Sequence, residues 1–83
     1  MAKRKRFEQV GIVEVDFTVN KGKIAALQIT GDFFGQKEIS ELEAMLQGVD
    51  FEQSTISRLL EGIAIEQFIH QLTTSEFLAL LFD

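Results

Sequence analysis

The chain has 83 residues, enough for one hydrophobic core and not two, and a domain of this size buries only about 60–65% of its unfolded surface. Hydrophobic residues make up 46% and charged residues 25%, with eight Phe and no Trp, Tyr, Cys or Pro; this is a folding composition, and it excludes disulfides, thiolate metal centres, iron–sulfur scaffolding and thiol nucleophiles. Lys3, Arg4, Lys5 and Arg6 hold half of the eight basic residues, leaving Phe7 to Asp83 with four basic against thirteen acidic groups, a net of −9 that repels phosphate and argues against nucleic acid as a partner.

In chain order, the basic opening at residues 1–6 reads as a solvated strand end or a linker, and Lys3 to Phe7 as the candidate for a third strand. No apolar segment follows it, so a secretory signal is not expected, and no run approaches the roughly 20 residues that span a bilayer. With no cysteine to oxidise, the cytoplasm is the expected location and no membrane is expected as a partner. From Val13 the pattern has period 2: Val13, Val15, Phe17 and Val19 face inward, and Glu14, Asp16 and Thr18 face outward, as in a strand with one buried face. Asn20-Lys21-Gly22-Lys23 supplies turn chemistry, and Ile24 to Thr30 returns as a second strand with Ala25, Leu27 and Ile29 on its inner face.

After Gly31-Asp32-Phe33-Phe34-Gly35 the period becomes helical. Ile39, Leu42, Met45 and Leu46 form one stripe, with Glu38, Glu41 and Glu43 elsewhere, and Gly48 ends the helix. Asp50 with Gln53 resembles a capping box opening a second helix with Ile56, Leu59, Leu60 and Ile63 inward. Ile65 to Ile69 makes one further helical turn. Thr73 with Glu76 caps a last helix that buries Phe77, Leu78, Leu80 and Leu81. The expectation is a single α+β domain over residues 1–83, a short antiparallel β-sheet of two to three strands with one face covered by three to four helices. Its expected core includes Val15, Phe17, Leu27, Leu42, Leu46, Leu59 and Leu60.

A search for catalytic chemistry finds little. His70 is the sole histidine, and Ser40, Ser54, Ser57 and Ser75 lie in or at the start of helices without a glycine-flanked elbow, so no catalytic residue is assigned. The thirteen carboxylates are scattered, with neither an Asp-rich loop nor a Glu-x-x-His pair, and read as solvent-facing charge, so no metal site is assigned. The six glycines form no phosphate loop, so no cofactor-binding residue is assigned. The most distinctive stretch is Gly31 to Gly35. Its letters resemble a kinase magnesium-binding turn, but the glycine-rich loop, strand lysine and catalytic-loop Asp of a kinase are missing. Two readings stay open for it. In one it is a structural strand-to-helix turn, with glycines at positive φ, Asp32 bonded to the local backbone and one Phe plugging the core. In the other, one of Phe33 and Phe34 is exposed beside Asp32 as a docking knob, making Asp32, Phe33 and Phe34 candidate partner-binding residues.

Arg6-Phe7, Gly11 to Val19, Lys21 to Ile24, Ile29 to Gly35, then Ile39, Glu41-Leu42-Glu43, Leu46, Gly48-Val49 and Phe51 together resemble the C-terminal accessory domain of lipoate–protein ligases. The resemblance runs through nearly the whole chain; its specific part is the strand, the hairpin and the Gly-Asp-Phe-Phe-Gly turn followed by the Leu-Glu helix and Gly48. It implies a SufE/NifU-like fold, related to small iron–sulfur assembly proteins, although without cysteine no thiolate scaffold is built. It also implies an accessory role in ATP-dependent lipoate attachment, in which lipoate is adenylated and then transferred to a lysine of a lipoyl carrier domain. ATP and lipoate are then handled by a larger catalytic domain, fused or separate, so the expected partners are that domain and, indirectly, lipoyl carriers. The family's domain opens on a fuller strand ahead of Arg6-Phe7 than is present here, which leaves an excised domain and a separate subunit as alternatives. A free-standing interaction module unrelated to lipoate is the competing reading.

Overall fold

The computed structural model describes residues 1–83. Three strands, β1 (Ala2–Phe7), β2 (Gly11–Asn20) and β3 (Lys23–Gly31), form one antiparallel sheet in the order β1-β2-β3. Four helices follow, α1 (Ile39–Leu46), α2 (Gln53–Glu61), α3 (Ile65–Phe68) and α4 (Thr74–Phe82). The α+β expectation holds, and the basic opening is a full edge strand with Lys3 opposite Val15 and Lys5 opposite Val13. No helix is long and apolar enough to cross a membrane.

The period-2 pattern of β2 becomes a buried face at Val13, Val15 and Phe17, because successive strand side chains alternate between faces and only one face meets the helices. All sixteen buried residues are hydrophobic, and they form a single cluster spanning the sheet, α1, α2, α3 and α4. A ladder of phenylalanine rings extends it at one end: Phe17 lies 5.2 Å from Phe51, and Phe51 stacks at 4.7 Å on Phe82. These rings tie the middle strand, the α1–α2 connection and the last helix together through offset aromatic contacts.

The hairpin departs from simple alternation. Lys21 (φ 54°) and Gly22 (φ 78°) form the two-residue turn between paired Asn20 and Lys23, both left-handed as a primed hairpin turn requires. Next to it, Thr18 pairs with Ala26 but Val19 pairs with Ile24, so Ala25 is an extra residue on β3. This bulge reverses the inward phase of the strand. Ile24 is fully buried in place of Ala25, which is exposed, and Val19 is turned outward at 38% exposure. Ile29 stays buried, whereas Leu27 is only half-buried.

In α1, Leu42 and Leu46 are fully buried and Ile39 partly so, but Met45 lies on the solvent side. Glu43 is not simply solvent-facing: its Oε2 accepts the Ile29 amide at 2.7 Å, fastening the helix to the free side of β3. The expected Asp50 capping box is absent. Asp50 pairs in an isolated β-bridge with Lys23 and takes its ammonium at 2.6 Å, so α2 begins after Glu52 without a side-chain cap. In α2 the inward residues are Ile56 and Leu60, with Leu59 only half-buried. The Thr73–Glu76 box is complete: the Thr73 hydroxyl accepts the Glu76 amide at 3.1 Å and Glu76 Oε1 accepts the Thr73 amide at 3.0 Å. Thus two of the four orphan amides at the start of α4 are occupied by a local sequence signal. Phe77, Leu80 and Leu81 are buried, and Leu78 is partly buried.

Candidate docking surface

The turn between β3 and α1 is anchored at both ends by close backbone approach. The Asp32 amide donates to the Ile12 carbonyl at 3.0 Å, and a Cβ on Gly31 would overlap that same carbonyl oxygen. At the other end the amides of Gln36 and Lys37 both donate to the Gln67 carbonyl, at 2.7 and 2.9 Å, and the His70 amide donates to the Phe34 carbonyl at 2.9 Å. Gly35 is pressed so closely on the end of α3 that a Cβ there would overlap the Phe68 carbonyl oxygen and lie 2.8 Å from that of Gln67. Gly35 therefore serves by its lack of volume and not by a left-handed φ, correcting the expectation for one of the two glycines.

This clamping separates the two phenylalanines. Phe33 is half-buried against the core cluster, while Phe34 is 71% exposed, the one exposed residue among the eight Phe. The exposed ring is nevertheless held: it stacks on the His70 imidazole with centroids 5.1 Å apart and planes 23° from parallel. Lys37 adds a cation 5.7 Å from the ring of Phe68, just below the turn. The Asp32 carboxylate is exposed and makes no hydrogen bond within the chain; its amide, not its side chain, holds the turn.

The structure thus places Asp32, Phe33 and Phe34 together on one anchored turn and adds two residues that sequence reasoning missed, His70 and Lys37. His70 lies 36 positions from Phe34 in a loop after α3, and no spacing rule relates the two. Gln71 beside it adopts φ 68°, a left-handed value unexpected for a glutamine. An exposed aromatic plane stacked on an imidazole, on a turn that also carries an exposed carboxylate, has the character of a surface that binds a partner. No concave pocket opens anywhere on the surface, and no three His, Cys, Asp or Glu side chains converge.

Comparison with known proteins gives a consistent answer. The family model described as bacterial lipoate protein ligase C-terminus matches residues 1–81. Among curated proteins, the chain is 38% identical over 73 residues to lipoate-protein ligase LplJ of Bacillus subtilis (strain 168), covering 88% of this chain and 22% of the relative. It is 36% identical over 73 residues to a lipoate–protein ligase of Streptococcus pyogenes serotype M5 (strain Manfredo), again covering 88% and 22%. It is 30% identical over 81 residues to the probable lipoate-protein ligase A of Mycoplasma pneumoniae, covering 96% and 24%. The chain therefore spans about a quarter or less of the length of these relatives.

Proposed function

Because the chain belongs to the bacterial lipoate–protein ligase C-terminal family, we propose that it is a non-catalytic accessory domain or subunit of an ATP-dependent lipoate–protein ligase. In this reading it packs over the larger catalytic domain and supports adenylation of lipoate before transfer to a lysine of a lipoyl carrier. The observation that carries it is the extent of the match: nearly all of this chain aligns with about a fifth of whole ligases. In this reading the ATP and lipoate chemistry belongs to the larger domain that makes up the remaining length of such ligases.

The physical role follows from what a lid does. Adenylation brings a carboxylate and a triphosphate together, and a covering domain excludes water and orders the loops that hold both reactants. Transfer to a carrier lysine needs the opposite, since a protein acceptor must reach the adenylate. An accessory domain that opens and closes therefore favours activation over transfer. The Phe34–His70 stack, with Asp32 and Phe33 on the same turn, is the candidate contact with the catalytic domain. Phe34 offers a large apolar area already fixed in orientation, which lowers the entropy lost on docking.

A two-component assay tests this, combining the large domain of a relative with the chain and measuring lipoate-dependent pyrophosphate release and, separately, transfer from preformed lipoyl-adenylate. The expected result is a stimulated adenylation step and a much smaller effect on transfer, with Phe34→Ala weakening the stimulation. The chain alone should stay at background. Absence of stimulation by the wild-type chain rejects the reading, as does robust lipoate-dependent release from the purified chain by itself.

A further inference from the structure

The sheet treats its two edges differently. Along β3 four of the outward backbone groups are met from within the chain: the Ile29 amide by Glu43 Oε2, the Ala25 carbonyl by Gln47 Nε2 at 3.2 Å, and both Ile24 groups by the backbone of Gly48 and Val49. Along β1 nothing does this. Met1 and Phe17 exchange both backbone bonds, so in an antiparallel ladder the residues in phase with Met1, namely Lys3, Lys5 and Phe7, bond inward to Val15, Val13 and Gly11. The amides and carbonyls of Ala2, Arg4 and Arg6 face outward, and no other element supplies them with partners. Their side chains lie on the sheet face opposite the core, and all three residues are exposed.

That open edge carries half of the chain's basic residues on a body that is otherwise strongly acidic. Lys5 reaches Asp83 at 3.5 Å, while Lys3, Arg4 and Arg6 have no carboxylate at ion-pair distance, although Glu14 lies across from Arg4. Pairing of β1 with β1 of a second copy would set basic side chains against basic side chains, which disfavours self-association. An incoming strand with acidic side chains meets the opposite situation, gaining main-chain bonds and charge complementarity together.

We propose that β1 is a strand-addition site for an extended acidic segment of a partner protein, which pairs with the outward amides and carbonyls of Ala2, Arg4 and Arg6 and sets its carboxylates beside Arg4 and Arg6. This surface is distinct from the Phe34–His70 turn and does not depend on the ligase reading.

The test is an amide-resolved NMR titration of the 83-residue chain with an acetylated, amidated peptide of alternating glutamate and valine with threonine ends. Strand addition should shift and slow the exchange of the Ala2, Arg4 and Arg6 amides while the Lys3 and Lys5 amides, already bonded to β2, keep their protection. A peptide with lysine in place of glutamate should not bind. Arg4→Pro removes an amide that has no internal partner, which an edge strand tolerates, and should weaken the acidic peptide by about tenfold or more with the fold intact. The double variant Arg4→Glu with Arg6→Glu keeps the backbone and should switch preference to the lysine peptide. Absence of binding, shifts confined to side chains without the alternation along β1, or equal binding of both peptides overturns the proposal.

Discussion

Gly35 and Phe34 are chain neighbours that should respond in opposite ways to the same small substitution. In Gly35→Ala the new methyl group overlaps the Phe68 carbonyl oxygen and crowds that of Gln67, both backbone atoms that cannot rotate away. Relief requires the turn to lift off the end of α3, which strains or breaks the bonds from the Gln36, Lys37 and His70 amides. At about 0.5–1.5 kcal/mol net for each of these three bonds, the expected loss is about 2–4 kcal/mol. For a domain of this size that corresponds to a fall in Tm of about 10–30 °C. Phe34→Ala removes a ring that is 71% exposed and touches mainly His70, so its cost should stay below about 1 kcal/mol. Urea and thermal unfolding followed by far-ultraviolet circular dichroism measure both. A Gly35→Ala protein within half a kcal/mol of wild type would show that the turn is not clamped against α3, and a Phe34→Ala protein that loses more than about 2 kcal/mol would make the exposed ring structural.

Leu42→Ala opens a cavity at a fully buried position between α1 and the sheet and should cost about 2–5 kcal/mol in urea unfolding; a loss under half a unit would place Leu42 outside the core. Thr73→Ala removes the hydroxyl that accepts the Glu76 amide and should cost about 1 kcal/mol, read as a lower midpoint with unchanged slope. Lys23→Ala breaks an ion pair whose partners are 58% and 47% exposed, so its effect should be at most about 1 kcal/mol and should shrink at high salt.

Legibility tracked the range of the interaction that set each feature. Thr73 and Glu76 are three residues apart, and their box formed as read; Asp50 and Gln53 have the same spacing, yet Asp50 is drawn to Lys23, 27 residues away. Alternation in β2 predicted Val13, Val15 and Phe17, whereas in β3 one bulged residue moved burial from Ala25 to Ile24. Phe68, Ile69 and Leu72, all buried, stand in the stretch with the shortest helix, where too few turns exist to define a face. At the candidate surface, the sequence marked Asp32, Phe33 and Phe34 as a group but left open which ring was exposed.

Sequence alone determined the class of protein: a cysteine-free α+β chain, a hairpin followed by amphipathic helices, with the marks of its family. These depend on composition and on patterns repeating over two to four residues, which any fold of the chain must respect. Tertiary structure alone decided that Phe33 turns inward and Phe34 outward onto His70, that Glu43 and Gln47 each take one outward backbone group of β3, and that the outward groups of β1 have no such partners. Those outcomes depend on where distant backbone atoms come to rest, and a Phe beside a Phe acquires a different environment only when Ile12 and Phe68 pin the glycines on either side.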